Sequence, residues 1–305
     1  MGKVFRAECN SGSSIALELV KLIDNTLKGV ERYIEDKLNE LFSSSEIVTL
    51  ANTLFTEQLN ISKQQRLLDP THKVTEGDLL LIIRSVNRLL EQEPIDYIVG
   101  NTEFYGLRFK VGREVLIPRP ETEELCEWII SEENKAGLKV VDIGSGSGCI
   151  AITLATHLIN AKVYACDVSA AALSLCTENA VLNSATIDSK CFDVLKQFPF
   201  EEKLDIIVSN PPYVLKSDKS EMEKNVLDYE PHLALFVEDN DPLLFYRKIA
   251  EQAKLHLNPN GRLYFEIHER YSIDIQSLLS KMGFSNIEVR KDAQDKDRMV
   301  RAVSV

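Results

Sequence analysis

From about residue 138 onward, short apolar runs alternate with segments of helical periodicity, and no other feature restricts the fold of this chain as strongly. Residues 139–143 read as a strand, 149–158 as a helix, 161–166 as a second strand and 170–182 as a second helix. A third strand is expected to end near Phe192-Asp193, and a fourth spans 204–209. A long helix over 242–257, a strand over 261–267 and a helix over 273–282 follow, then strands over 287–291 and 299–305. Strands linked through helices run parallel, because the chain must return to the same end of the sheet before it pairs again. The last two have no helix between them and predict an antiparallel edge. The expected fold class is α/β: a doubly wound sheet of seven strands, mostly parallel.

Upstream the periodicity is helical throughout. Ile15, Leu17, Leu19, Val20, Leu22, Ile23, Leu27 and Val30 recur with roughly helical spacing. Ser43 and Glu46 have the spacing of a capping box ahead of Ile47, Leu50, Ala51 and Leu54. Thr75-Glu76-Gly77-Asp78 opens another helix through Leu79, Ile82, Ile83, Val86 and Leu90. Residues 1–90 therefore predict a small all-α bundle, suited to recognising a partner, since its stripes carry no chemistry. Pro94 ends the helical pattern, and 102–111 reads as a β-hairpin with Gly106 at its turn. Residues 91–118 are thus an expected connector, and 119–305 the α/β domain. Its first helix starts at Arg119-Pro120-Glu121-Thr122-Glu123, with carboxylates favourably placed in the first turn.

Charge narrows the function. The chain of 305 residues carries 35 Lys and Arg against 47 Asp and Glu, a net charge of −12. Wrapping nucleic acid needs a cationic surplus, so no direct nucleic-acid partner is expected; a basic protein or a small molecule fits better. No run approaches the roughly 18 apolar residues of a membrane span. The start, Met1-Gly2-Lys3-Val4-Phe5-Arg6, lacks an apolar signal region, and 8–14 reads as a loose end. A cytoplasmic monomer is expected. The six cysteines (9, 126, 149, 166, 176 and 191) form no C-x-x-C pair, and the histidines do not cluster with them. They read as reduced core thiols, and no metal is expected.

A cofactor signal sits at the first strand of the alternating region. Val140-Val141-Asp142-Ile143-Gly144-Ser145-Gly146-Ser147-Gly148 is a strand, a glycine-rich turn and a helix start. Backbone can approach a ligand closely there, at a helix end with partial positive charge. The next strand ends in Asp167, where an acid about twenty residues on is placed to bind a ribose. The dinucleotide fingerprint G-x-G-x-x-G is not met, because position 149 is Cys, which disfavours a dehydrogenase. The G-x-G-x-G spacing suits S-adenosylmethionine, with Asp193 as an acceptor for the adenine amino group and Val194 against the adenine face. The structural alternatives are a cap ahead of Ser169 for Asp167 and a turn for Asp193.

Asn210-Pro211-Pro212-Tyr213 follows the fourth strand. The prolines fix φ and remove two donors. The Asn210 side chain, the carbonyls of Asn210 and Pro211, and the Tyr213 ring remain. Two acceptors and an aromatic face suit a planar –NH2 group. As a bland alternative, Pro-Pro merely stops the strand and Tyr213 merely packs.

Together these residues resemble the class I S-adenosylmethionine-dependent methyltransferases, whose sheet is Rossmann-like. Within that class the chain is similar to the HemK family of protein-(glutamine-N5) methyltransferases acting on peptide-chain release factors. The likeness is carried by Asn210-Pro211-Pro212-Tyr213, by Tyr97-Ile98-Val99-Gly100-Asn101-Thr102-Glu103-Phe104-Tyr105-Gly106, and by Ile117-Pro118-Arg119-Pro120-Glu121-Thr122-Glu123. Tyr229-Glu230-Pro231 with Ala234-Leu235, and Asp297-Arg298, add to it. It covers about 88–305; His268 departs from it where Gly is commoner, an expected loop change. The resemblance implies that S-adenosyl-L-methionine is the methyl donor, leaving S-adenosyl-L-homocysteine, and that the substrate is the glutamine of the Gly-Gly-Gln loop of class I release factors. It implies a cofactor side made by Gly144, Ser145, Gly146, Ser147, Gly148, Asp167, Asp193, Val194 and Asn210. Asn210, Pro211, Pro212 and Tyr213 would hold the substrate amide, with Arg119, Glu121 and Glu123 lining the site or the cofactor's methionine end; the structural alternative for these three is an ordinary charged first turn with salt bridges. The same tetrapeptide chemistry serves an adenine-N6 or guanine-N2 methyltransferase of nucleic acid, which the acidic charge disfavours. A non-enzymatic scaffold on a decayed fold is disfavoured by the intact motif set.

Overall fold

The computed structural model describes residues 24–196 and 198–305. The apolar stripe over 15–23, Cys9 and the stretch 8–14 lie outside the described residues. The chain divides into two compact units, Met1–Val99 and Gly100–Val305.

In the first unit, α1 (Leu27–Leu38), α2 (Ser44–Leu59), α3 (Lys63–Leu68), α4 (Glu76–Leu90) and α5 (Ile95–Val99) enclose a core of Val30, Ile34, Leu38, Leu54, Phe55, Ile82 and Val86. The sequence marks where α2 and α4 begin because their caps are local. Ser43 and Glu46 form a reciprocal capping box, as do Thr75 and Asp78. Pro94 does not end the helical structure as its sequence reading has it. It precedes α5, and its carbonyl accepts from the Tyr97 and Ile98 N–H groups. A proline's fixed φ suits helix entry, where its missing N–H has no intrahelical partner to lose.

The second unit opens with the hairpin β1 (Asn101–Phe104) and β2 (Leu107–Lys110), followed by α6 (Pro120–Glu132). Then come β3 (Lys139–Ile143), α7 (Cys149–His157), β4 (Lys162–Asp167), α8 (Ala170–Leu182), β5 (Ile187–Cys191) and β6 (Leu204–Ser209). After α11 (Leu244–His256) the chain forms β9 (Leu257–Glu266), α12 (Ser272–Lys281), β10 (Ser285–Lys291) and β11 (Asp297–Val303). These strands make one seven-stranded sheet in the order β10-β11-β9-β6-β3-β4-β5, parallel except at β10 and β11. The α/β expectation and its antiparallel edge are met. One face packs Tyr246, Ile249 and Ile275 against Val141, Ile207 and Phe265. The other packs Leu125, Trp128, Ile150 and Leu154 against Val140, Ile206 and Tyr264, together with the hairpin's Phe104 and Phe109.

Between β6 and α11 lies structure that periodicity did not reveal. The short strands β7 (Val214–Leu215) and β8 (Phe236–Val237) pair in parallel, with a 3-10 turn (Lys216–Glu221) and the short helices α9 (Lys224–Tyr229) and α10 (His232–Leu235) between them. Elements of two to six residues show too few repeats for a 3.6- or 2-residue period to register.

Asn179, fully buried on α8, links three segments. Its Oδ1 accepts from the Lys110 N–H at 2.7 Å, and its Nδ2 donates to the Lys110 carbonyl at 3.0 Å and the Ser147 carbonyl at 2.9 Å. The hairpin and the glycine-rich turn are thus held by one side chain, at a position that helical periodicity marks only as core-facing. Truncation strands the buried Ser147 carbonyl and the part-buried Lys110 N–H and carbonyl. Asn179→Ala is expected to lower stability by roughly 2 kcal/mol, read as a lower urea midpoint; an unchanged midpoint would remove this side chain from the account.

Candidate active site

The site follows from strand order. β3 leads through α7 to β4 on one side, whereas its other neighbour, β6, leads outward to β9. This is a topological switch point, and ligands of open α/β sheets bind outside the carboxyl ends of the strands that flank it. The glycine-rich turn leaves β3 and Asn210-Pro211-Pro212 leaves β6, so two motifs more than sixty residues apart in sequence become adjacent. A cavity of about 330 Å³ lies there, within the range of small-ligand sites. Gly144, Ser145, Gly146, Ser147, Asp167, Asp193, Val194, Asn210, Pro211, Pro212 and Arg119 all line it.

The glycine-rich turn is fixed by backbone bonds. The N–H groups of Gly144 and Ser145 both donate to the Cys166 carbonyl, at 2.7 and 2.9 Å, and the Gly146 N–H donates to Asp167 Oδ2 at 2.9 Å. Asp167 Oδ1 accepts from the Ser169 N–H at 2.9 Å, but the cap of α8 is Ser169 itself, whose Oγ accepts from the Ala172 N–H at 3.2 Å, so Asp167 braces the capping residue and is not the cap. Both bonds to Asp167 hold together because a carboxylate has about four lone-pair sites. Asp193 Oδ1 accepts from the Leu195 N–H at 3.0 Å, a turn bond, while the residue faces the cavity.

Four of the expected site residues do not line the cavity. A Cβ at Gly144 or Gly146 would meet open space, whereas one at Gly148 would run into the Cys176 side chain. Gly148, at φ 84°, caps α7 and lets α8 pack close, so its need for glycine is structural. Glu123 Oε1 accepts from the Tyr105 N–H at 2.8 Å and ties the hairpin turn to α6. Glu121 lies outside the lining and faces Tyr213 and Glu266 electrostatically. Tyr213 is half-buried against the core, edge-on to His268 with ring centroids 5.8 Å apart. Burial raises its phenol well above the usual range, so it is not a base. His268 lies half-buried in the loop after β9, where it packs on Tyr213 and its Nδ1 accepts from the Arg270 N–H at 3.1 Å.

Other residues here were not foreseen. Val168, Leu233, Ala234, Phe245 and Ile249 supply an apolar wall. Glu230 is buried and holds Arg119 through Oε1 to Nη2 at 2.6 Å, keeping the guanidinium at the rim. Beneath Asn210, Glu266 Oε2 accepts from Thr122 Oγ1 at 2.6 Å, and both side chains are buried. Thr122 and Glu230 stand in the quoted motifs, but nothing local says which way they face. Burial pushes the thiols of Cys149 and Cys176 up to about 12, so neither offers a thiolate. Among the described residues no cluster of His, Cys, Asp or Glu could hold a metal, and no helix is long and apolar enough to cross a membrane.

A seven-stranded sheet in this order, with a glycine-rich turn and an apolar cavity at its switch point, defines a Rossmann-like methyltransferase. The model of the methyltransferase small domain matches residues 125–228. A release factor glutamine methyltransferase from Flavobacterium psychrophilum is 46% identical over 279 residues, covering 90% of this chain and 98% of that one. One from Bacteroides thetaiotaomicron is 39% identical, covering 90% of this chain and 98% of its own. Among solved structures, a methyltransferase from Pyrococcus furiosus is similar over 76% of this chain and 100% of that one, at 17% identity and a TM-score of 0.49. The chain belongs to the release factor glutamine methyltransferase family.

Two predictions test this geometry. Gly148→Ala is expected to cost about 1–3 kcal/mol through strain and the clash with Cys176, seen as a lower Tm. Asp142, buried behind the glycine-rich turn, has its carboxyl pushed up to about 8, chiefly by burial and further by the Asp167 charge, against one bond from the Ala151 N–H. The unfolded carboxyl ionises near pH 4 while the native one stays protonated to about 8, so the native state binds the extra proton. Its contribution is full below pH 4 and is lost as pH rises through 8. Asp142→Asn should remove that alkaline loss, narrowing the difference between urea midpoints at pH 6 and pH 9.

Proposed function

We propose that this protein methylates the side-chain amide nitrogen (N5) of the glutamine in the Gly-Gly-Gln motif of class I peptide-chain release factors, with S-adenosyl-L-methionine as donor and S-adenosyl-L-homocysteine as product. The observation that carries this reading is the 46% identity to a release factor glutamine methyltransferase across 90% of this chain. The cavity supports it, because the turn leaves Gly144 and Gly146 open to a ligand and an apolar wall faces them. In this reading Gly144 to Ser147 cradle the donor, Asp167 takes its ribose, Asp193 its adenine amino group, and Val194 packs on the adenine.

The donor supplies an electrophilic sulfonium methyl. A carboxamide nitrogen is nearly non-basic, since its lone pair is delocalised, so orientation matters before any general base. The Asn210 side-chain oxygen and the Pro211 carbonyl accept the two N–H bonds of the substrate amide. As that nitrogen gains positive charge these acceptors hold it more tightly, which favours the transition state over the ground state. Pro211 and Pro212 keep the acceptors rigid, so little reorganisation is needed at the moment of transfer. Tyr213 supports the turn from below and keeps water out. Arg119, held by Glu230, borders the substrate side. The helical unit is assigned to docking the release factor, its core being closed around apolar side chains with no catalytic group.

The first test is incubation with methyl-labelled donor and an unmethylated class I release factor, with the label mapped by mass spectrometry. Label on the Gly-Gly-Gln glutamine is expected; label confined to RNA or DNA offered in parallel would overturn the substrate. Asn210→Ala should lower turnover at least about a hundredfold while changing donor affinity little, by single-turnover assay and calorimetry. Asp167→Ala should instead weaken donor binding, and an unchanged Kd would remove it from the ribose.

A further inference from the structure

Thr122, Glu266 and Asn210 come from three separated parts of the chain and meet at the cavity wall, which Thr122 and Asn210 line and Glu266 does not. Thr122 Oγ1 donates to Glu266 Oε2 at 2.6 Å. Asn210 Nδ2 donates to Thr122 Oγ1 at 3.4 Å, and the Asn210 side chain also hydrogen-bonds Glu266. Thr122 and Glu266 are each 2% exposed, while Asn210 is half-buried at the cavity wall. Glu266 is anchored further through its backbone, whose carbonyl accepts from the Tyr246 hydroxyl at 3.2 Å.

Donor and acceptor capacities give this chain of bonds a direction. An ionised carboxylate only accepts. Thr122 has one hydroxyl proton, and the short bond to Glu266 commits it. What Thr122 then presents to Asn210 is a lone pair, so the NH2 end of the Asn210 amide must face it. The amide oxygen is left pointing the other way, toward the cavity. The two ends of an asparagine amide are nearly the same size and shape, so packing alone would not select between them.

We propose that Thr122 and Glu266 are positioning residues for methyl transfer: their one-way hydrogen-bond chain turns the Asn210 amide so that its oxygen, not its NH2 group, meets the substrate nitrogen. The inference rests on the acceptor role given to Asn210 in the proposed function. Both act through Asn210, although Thr122 also lines the cavity.

The arrangement carries a switch. Burial pushes the Glu266 carboxyl up to about 7; Glu121 raises it, and Arg298 and the bonds from Thr122 and Asn210 oppose the rise. The other titratable groups that interact with it are Tyr213, Tyr246, Cys126 and Cys149, all raised away from neutrality chiefly by burial. When protonated, Glu266 can itself donate to Thr122, whose hydroxyl is then free to turn and donate to Asn210. That reverses the chain and rewards the wrong amide orientation. Ionisation is favoured as pH rises, so the productive orientation belongs to the alkaline side.

The test measures kcat and KM at saturating donor for the wild type, Thr122→Val, Thr122→Ser and Glu266→Gln, with donor Kd by calorimetry and folding by thermal melt. Thr122→Val is expected to lower kcat about tenfold or more, with donor Kd and release-factor KM within roughly threefold; Thr122→Ser restores most of the loss. Wild-type kcat should rise about tenfold between pH 6 and 8, the change in ionised fraction of a group titrating near 7. Glu266→Gln cannot titrate and loses that rise. His268, held below its ordinary value mainly by burial, and Asp142, pushed up to about 8, are the nearby confounding groups, and His268→Asn and Asp142→Asn should each keep the rise. Should Thr122→Val fail to fold, the Glu266→Gln profile decides alone. A kcat for folded Thr122→Val within twofold of wild type, or an acid limb that survives in Glu266→Gln, overturns the proposal. A wild type that leaves the glutamine unlabelled overturns the function and this inference with it, whereas a labelling wild type with indifferent variants overturns the inference alone.

Discussion

The pairing of β3 with β6 is the constraint on which the site depends. Val140 to Ile143 align with Ile206 to Ser209 in a parallel ladder buried on both faces. Parallel register puts the carboxyl ends of both strands at one edge, so the glycine-rich turn and Asn210-Pro211-Pro212 leave the sheet side by side. Ser209 Oγ donates to the Ile143 carbonyl at 2.6 Å and locks the two exits together. Had β6 added at the outer edge beyond β5, the same motifs would stand two strands further apart, on the scale of ~10 Å more.

Around this centre, buried polar groups set direction where apolar packing cannot. Asn179 joins the hairpin to the glycine-rich turn, Glu123 joins the hairpin to α6, and Glu230 holds Arg119. Thr122 and Glu266 give the Asn210 amide a facing side. Each is bonded to a specific partner, which is how a polar group is retained in an interior. Apolar contacts supply the stability of the sheet but have no preferred donor or acceptor sense, so they cannot aim an amide.

The motifs divide by how local their physics is. The caps at Ser43 and Thr75, the strand–turn–helix at 139–149 and the stiff Asn-Pro-Pro turn were legible because each acts within a few residues. Gly148 was read as a cofactor residue since it completes the glycine run, yet its close neighbour is Cys176, on a helix whose approach no local pattern encodes. Glu123 was assigned to the site by the resemblance and Tyr213 by its aromatic face as well; the first bonds the hairpin and the second packs against His268.

By itself the sequence determined the α/β class, the antiparallel edge, most strand and helix positions and the two exit motifs, because side-chain period, turn chemistry and proline stiffness are properties of contiguous residues. Only the tertiary structure decided that β3 lies between β4 and β6, that Thr122 and Glu266 stand behind Asn210, and that an apolar wall from 233–249 closes the cavity. Strand order and side-chain facing depend on which surfaces bury one another across a hundred residues or more. That is a sum over many weak contacts, and no short stretch of sequence contains it.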